Sequence, residues 1–135
     1  MPVVMIHRSS RADAAALEAA QELSRERGDL LLILATGSGT HAENASELEQ
    51  RVFEDQLKHQ LAPDTQWQAT LIPPGADAVD TLIEHVHTLR PSTVVVGTRH
   101  RSTVGKLIFG HDLQRLLVDI EVPILLVKPA KQDGH

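Results

Sequence analysis

The residues best suited to chemistry follow an apolar segment that ends at Gly97. A cationic loop, residues 99–101, comes after this glycine, and Gly110 then precedes the start of a helical pattern. Amides at a helix N-terminus are unpaired, and the aligned peptide dipoles place partial positive charge there. A strand, a glycine turn and a helix start in this order are typical of phosphate binding. The segment therefore predicts an anion or nucleotide site.

Two histidines and one acid alter this layout. His100 stands where a glycine would let the backbone approach a phosphate closely, and His111 stands where a small hydroxyl residue would fit. Asp112 brings a carboxylate that can cap the helix amides and repel a phosphate. We therefore expect that the chain does not bind ATP tightly.

Hydrophobic periodicity predicts strands that alternate with helices along the whole chain. Strand patterns cover residues 3–7, 30–35, 66–72, 93–97 and 123–127. The first helix begins near a capping signal at Ser9, Ser10 and Asp13, and the other helical patterns lie at 45–61, 79–89 and 113–120. Because parallel strands need long crossovers, this alternation predicts an α/β fold, with a five-stranded parallel sheet and helices on both faces.

Ligands in such folds bind at the carboxyl ends of the strands, near the point where the strand order switches. The segments that follow the first, second and fourth strands should therefore share one site, which we call the mouth. Its candidate anion- or nucleotide-binding residues are His7, Arg8, Gly97, Arg99, His100, Arg101, Gly110 and His111.

Length and composition narrow the classes of function. A chain of 135 residues can bury one core, so we expect a single domain over 1–130 and a disordered tail at 131–135. A formal net charge of −5 argues against general nucleic-acid binding, and the longest apolar run is too short to cross a bilayer. No secretory signal is visible and cysteine is absent, which favours a cytoplasmic location.

Metal and catalytic sites are not indicated. His7, His100 and His111 could converge, but no cysteine and no histidine–carboxylate pair at helical spacing accompanies them at the mouth. The chain also has no Gly-x-Ser-x-Gly elbow and no thiol nucleophile. We expect no metal, no cofactor and no catalysis, so that binding is the favoured class of function.

Residues 94–129 resemble the universal stress protein family, and the similarity extends over nearly all of the chain. Gly97 and Gly110 match the first and third glycines of the family's glycine-rich motif. The segment Val122-Pro123-Ile124-Leu125-Leu126-Val127 is similar to the family's closing strand. The resemblance implies a flavodoxin-like (adenine nucleotide alpha hydrolase-like) fold and a role in the stress response.

Three residues depart from the family's nucleotide-binding members. His100 replaces the second glycine, His111 replaces a serine or threonine, and His7 replaces an aspartate that meets the nucleoside. In this respect the chain resembles the universal stress protein A branch, which forms dimers and is thought not to bind ATP through this motif. The resemblance thus implies a non-catalytic homodimer whose mouth holds a small anion or a protein partner.

An alternative keeps binding of ATP or AMP with magnesium, with at most a slow ATPase activity. Gly97 and Gly110 still present backbone amides, and the cations Arg99, Arg101 and Lys106 could offset the lost contacts.

The fifth strand is the expected dimer interface, through Val122, Ile124, Leu125, Leu126 and Val127. An apolar edge strand leaves backbone donors and acceptors unpaired unless a partner covers it. The family resemblance implies antiparallel pairing of this strand across a twofold axis. The alternative is a monomer whose edge is shielded by Lys128 and the tail.

Overall fold

The predicted alternation of strands and helices is present in the computed structural model, which describes residues 1–8, 13–36, 43–72, 78–98 and 111–128. The strands are β1 (Val3–Ile6), β2 (Leu31–Thr36), β3 (Trp67–Ile72), β4 (Thr93–Gly97) and β5 (Ile124–Val127). The helices are α1 (Asp13–Arg27), α2 (Glu43–Lys58), α3 (Ala78–Leu89) and α4 (His111–Asp119). The expected α/β class is therefore confirmed.

All five strands are parallel and lie in the order β3-β2-β1-β4-β5. The chain first adds strands on one side of β1 and then, after β3, on the other side. The strand order therefore switches between β1 and β4, which places the ends of these two strands side by side. This is the point at which the sequence predicted the mouth.

The strands bury side chains on both faces of the sheet, because successive residues of a strand point in opposite directions. On β1, Val4 and Ile6 pack with residues of α3 and α4, whereas Val3 and Met5 pack with residues of α1 and α2. All four of these β1 residues are fully buried. The sheet thus has helices on both faces, as expected.

Both ends of the sheet fit the sequence pattern. On β3, the half-buried Trp67, Ala69 and Leu71 alternate with exposed residues, as expected of an edge strand. At the other edge, Pro123 lies just before β5 and its carbonyl accepts a hydrogen bond from the Val94 amide at 2.9 Å. The start of an edge strand is a position at which a sheet tolerates proline.

No helix in the described part of the chain is long and apolar enough to cross a membrane. The expected tail, residues 131–135, lies outside the described residues, and the single domain over 1–130 stays a prediction.

Candidate functional site

The mouth is built where β1 and β4 end. His7 and Arg8 directly follow β1, and Gly97 is the buried last residue of β4. The Arg8 Nη1 atom donates a hydrogen bond to the carbonyl of Gly97 at 3.5 Å. The amide of Thr98 donates to the carbonyl of Val127 at 2.8 Å, which holds the end of β4 against β5. The Arg8 side chain therefore spans the point where the strand order switches.

The carboxylate of Asp13, which the sequence indicated only as part of a helix cap, lies at the centre of the mouth. Asp13 begins α1, is 6% exposed, and accepts the Arg8 amide with both oxygens, at 3.1 and 3.2 Å. Its Oδ2 atom also lies 3.5 Å from the His7 Nδ1 atom. The start of α1 is thus tied to the end of β1 through this one side chain.

His7 is held from a second side by an aromatic ring. The ring centroids of His7 and Phe53 are 5.2 Å apart, and the two rings meet edge to face at 72°. Phe53 belongs to α2 and is buried, so the imidazole is fixed between α2 and the Asp13 carboxylate. The helical periodicity of α2 indicated an apolar face, but nothing in it pointed to a contact with the mouth.

A cleft of about 510 Å³ opens beside His7. The ends of β2 and β3 and one side of α2 form its walls, and its lining is His7, Ala35, Thr36, Leu48, Glu49, Val52, Phe53, Gln56 and Leu71. The apolar side chains of Leu48 and Val52 remain 63% and 47% exposed at its rim. Apolar walls with a few polar groups are typical of small-molecule sites.

The described residues bring together only part of the predicted mouth. His7, Arg8 and Gly97 meet at the ends of β1 and β4. Arg99, His100, Arg101 and Gly110 lie outside the described residues, and His111 is described only as the backbone residue that begins α4. Among the described residues, no group of three or more histidine or acidic side chains is arranged to hold a metal ion.

The predicted interface residues lie on or just before β5 at one end of the sheet. Val122, Ile124, Leu126 and Val127 are half-buried, and Leu125 is 42% exposed. Ile124 and Leu126 pack against the core formed with α3 and α4, whereas Val127 packs against the core formed with α1 and α2. Much of this apolar surface is therefore already used by the fold, and Leu125 is the large apolar side chain that β5 leaves exposed.

Comparison with known proteins gives consistent matches. The profile of the universal stress protein family matches residues 2–128. A universal stress protein of Mycolicibacterium smegmatis is 42% identical over 57 residues, which are 42% of this chain and 44% of that protein. The matched part thus spans less than half the length of this curated relative.

Solved structures show the same fold. A universal stress protein from Archaeoglobus fulgidus gives a TM-score of 0.73 at 20% identity, covering 95% of this chain and 98% of that one. A structure of the universal stress protein from Archaeoglobus fulgidus in complex with dAMP gives 0.70 at 18% identity, with the same coverage of both chains.

Proposed function

The chain belongs to the universal stress protein family, and from this premise we propose that it acts in the stress response by binding and not by turnover. In this proposal it is a cytoplasmic homodimer with a single domain over 1–130. It resembles the universal stress protein A branch, and its nucleotide motif has lost the capacity for tight ATP binding. The mouth then serves a small anion or a protein partner.

The arrangement of Asp13 at the mouth is the observation that carries this proposal. Its two carboxylate oxygens accept the Arg8 amide, the backbone donor at the end of β1 that an anionic ligand would otherwise use. A negative charge at this place also repels phosphate. His100, His111 and Asp112 add bulk and a further negative charge in the sequence segment that should cradle the phosphates. These features support a mouth that does not hold a triphosphate.

Calorimetric titration with ATP and magnesium at neutral pH tests the proposal. We expect no measurable binding up to roughly millimolar nucleotide, the weak end of the affinity scale. Saturation at micromolar concentrations would overturn it. The same titration with inorganic phosphate checks whether the mouth still attracts a small anion.

A second candidate function is binding of ATP or AMP with magnesium, with at most slow ATPase activity. The cleft beside His7 favours it, because its apolar walls are open to solvent and could pack against a base. The universal stress protein of Archaeoglobus fulgidus in complex with dAMP has the same fold. The cations Arg99, Arg101 and Lys106 would then have to replace the ligand contacts that the substitutions at His7, His100 and His111 remove.

A gain-of-binding variant distinguishes side chains that block the site from a changed backbone. We expect the triple change His100→Gly, His111→Ser and Asp112→Val to increase nucleotide affinity, because it restores small residues and removes a charge. Calorimetry on this variant gives the answer. An unchanged affinity would mean that the substituted side chains are not what prevents binding.

A further inference from the structure

Both edges of the sheet carry outward-facing backbone groups, which can be assigned from the hydrogen bonds that face inward. Just before β3, the carbonyl of Gln66 accepts the Leu31 amide at 3.0 Å, so the backbone groups of Gln66 and of every second residue after it face β2. The backbone groups of Trp67, Ala69 and Leu71 therefore face away from the sheet. An exposed row of this kind is a template for strand addition.

The side chain of Gln50 on α2 occupies the middle of this row. Its Nε2 atom donates to the Ala69 carbonyl at 2.7 Å, and its Oε1 atom accepts the Leu71 amide at 2.8 Å. A residue of an added parallel strand would make the same two bonds, one through its amide and one through its carbonyl. The primary amide of Gln50 thus substitutes for one residue of a sixth strand.

A neighbouring acid fixes the orientation of this amide. The Gln50 Nε2 atom also donates to the Glu54 Oε1 atom at 2.6 Å, so its two hydrogens face two acceptors. The reverse orientation would place the amide oxygen against two other oxygens and is excluded on electrostatic grounds. Exposed Glu47 and Arg51 lie on the same side of α2 and add charge beside the edge. An approaching strand would therefore have to displace a fully bonded amide and face the Glu54 carboxylate.

The opposite edge has no such cover in the described part of the chain. The carbonyl of Pro123 accepts the amide of Val94 on β4, and the carbonyl of Val127 accepts the amide of Thr98 just after β4. The backbone groups of Ile124 and Leu126 consequently face outward. No side chain of the described residues bonds to these groups. The two edges thus differ in accessibility although both are short parallel strands.

We propose that Gln50 is an edge guard, which prevents β3 from pairing with β3 of a second copy of this chain. An antiparallel pair centred on Ala69 is the geometry that it blocks, because Ala69 of each copy would exchange both backbone bonds with its counterpart. Strand pairing between copies is thereby confined to the other edge of the sheet. This inference does not depend on nucleotide binding or on a dimer through β5.

Cross-linking at β3 tests the inference directly. The chain has no cysteine, so Thr70→Cys, at an exposed position on β3, gives a single reporter thiol close to the blocked centre. Treatment with a short bis-maleimide should give roughly tenfold more linked dimer when Gln50→Ala is added, the factor expected from losing a net hydrogen bond or two. Gln60→Ala, which removes an exposed glutamine just beyond α2, should leave the yield unchanged.

Amide hydrogen exchange provides the second measurement. In Gln50→Ala, the Leu71 amide should exchange roughly tenfold faster in dilute protein, because it has lost its acceptor, and regain protection as the concentration rises and β3 pairs. Fast exchange at every concentration, with no increase in linked dimer, would overturn the proposal and leave Gln50 a purely local contact. Linked dimer at equal yield with Gln50 intact would overturn it as well.

Because Gln50→Ala could weaken the fold, Gln50→Met serves as a second variant. It keeps the length of the side chain but loses the two donors and the acceptor that bond to Ala69, Glu54 and Leu71, and it adds no charge at the edge. The backbone groups of Ala69 and Leu71 should then be free to pair, without a cavity beside α2. The yield of linked dimer should also rise above that of Thr70→Cys alone. A rise only in variants whose circular dichroism shows unfolding would contradict the proposal.

Discussion

The Asp13 carboxylate at the start of α1 decides how the mouth presents its charge. It is buried, faces the imidazole of His7, and accepts a hydrogen bond from the Arg8 amide. The side chain of Arg8 in turn donates to the Gly97 carbonyl. The residue that follows β1 is thus a histidine with a carboxylate next to it. The mouth directs this acid at its own backbone.

Replacing this acid should lower the stability of the protein. We expect Asp13→Ala to reduce the free energy of unfolding by about 1–3 kcal/mol, because the partly buried Arg8 amide loses both of these acceptors. Denaturant titration followed by circular dichroism measures the change. Asp55→Ala, at an exposed position on α2, is the matched control, and equal midpoints for the two variants would contradict this role of Asp13.

Sequence patterns predict where such residues lie better than what they contact. His7, Arg8 and Gly97 were predicted to lie together because they end adjacent strands, and Arg8 and Gly97 share a hydrogen bond there. Asp13 was interpreted as a helix cap, because an acid at a helix start commonly bonds to the amides of its own helix. Its carboxylate accepts the Arg8 amide, next to the end of the preceding strand, and local sequence does not specify the direction of a side chain.

At the scale of elements, two helices are each followed by a residue with positive φ, a glycine in one case and an arginine in the other. Gly28 ends α1 at a φ of +68°, with its amide bonded to the Arg25 carbonyl and the Asp29 amide bonded to the Ser24 carbonyl. This is the bond pattern of a Schellman motif. Arg90 ends α3 at a φ of +49°, just before Pro91, although it has a side chain that disfavours this conformation.

The helix ends therefore predict stability changes of opposite sign. Gly28→Ala should lower the free energy of unfolding by about 1 kcal/mol through backbone strain alone, since nothing lies within 4 Å of the added methyl group. Arg90→Gly should raise it by up to about 1 kcal/mol, because the strain at that position is relieved. Thermal unfolding of both variants beside the wild type provides the measurement. A stabilising Gly28→Ala would contradict the assignment.

The elements themselves were predictable because hydrophobic periodicity reports directly on burial. The predicted strand at 93–97 agrees with β4, and the predicted helix at 79–89 begins one residue after the start of α3. The bonds of Gln50 to β3 were not predictable, since this glutamine reads as one more polar residue on the surface of a helix. Its role depends on the distance between α2 and the edge of the sheet, which only the folded chain defines.

At the scale of the whole molecule, the order of the strands determines which surfaces remain for assembly. Because β1 is central and β3 and β5 are terminal, the sheet offers two edges to a partner. The side chain of Gln50 bonds to the β3 edge, whereas the apolar side chain of Leu125 is exposed at the β5 edge. The alternation of elements predicted a sheet of this kind, but the asymmetry of its edges arises from single side chains.

The proposed dimer through β5 should therefore be sensitive to charge at Leu125. We expect Leu125→Lys to shift the protein from dimer to monomer, because pairing of β5 across a twofold axis would bring two like charges together beside the new strand pair. Light scattering coupled to size exclusion, over a range of concentrations, measures the mass. The matched control is Leu48→Lys, on α2 beside the opposite edge, which also replaces an exposed leucine and should leave the dimer intact. A dimer that withstands Leu125→Lys and dissociates with Leu48→Lys would place the interface at the other side of the sheet.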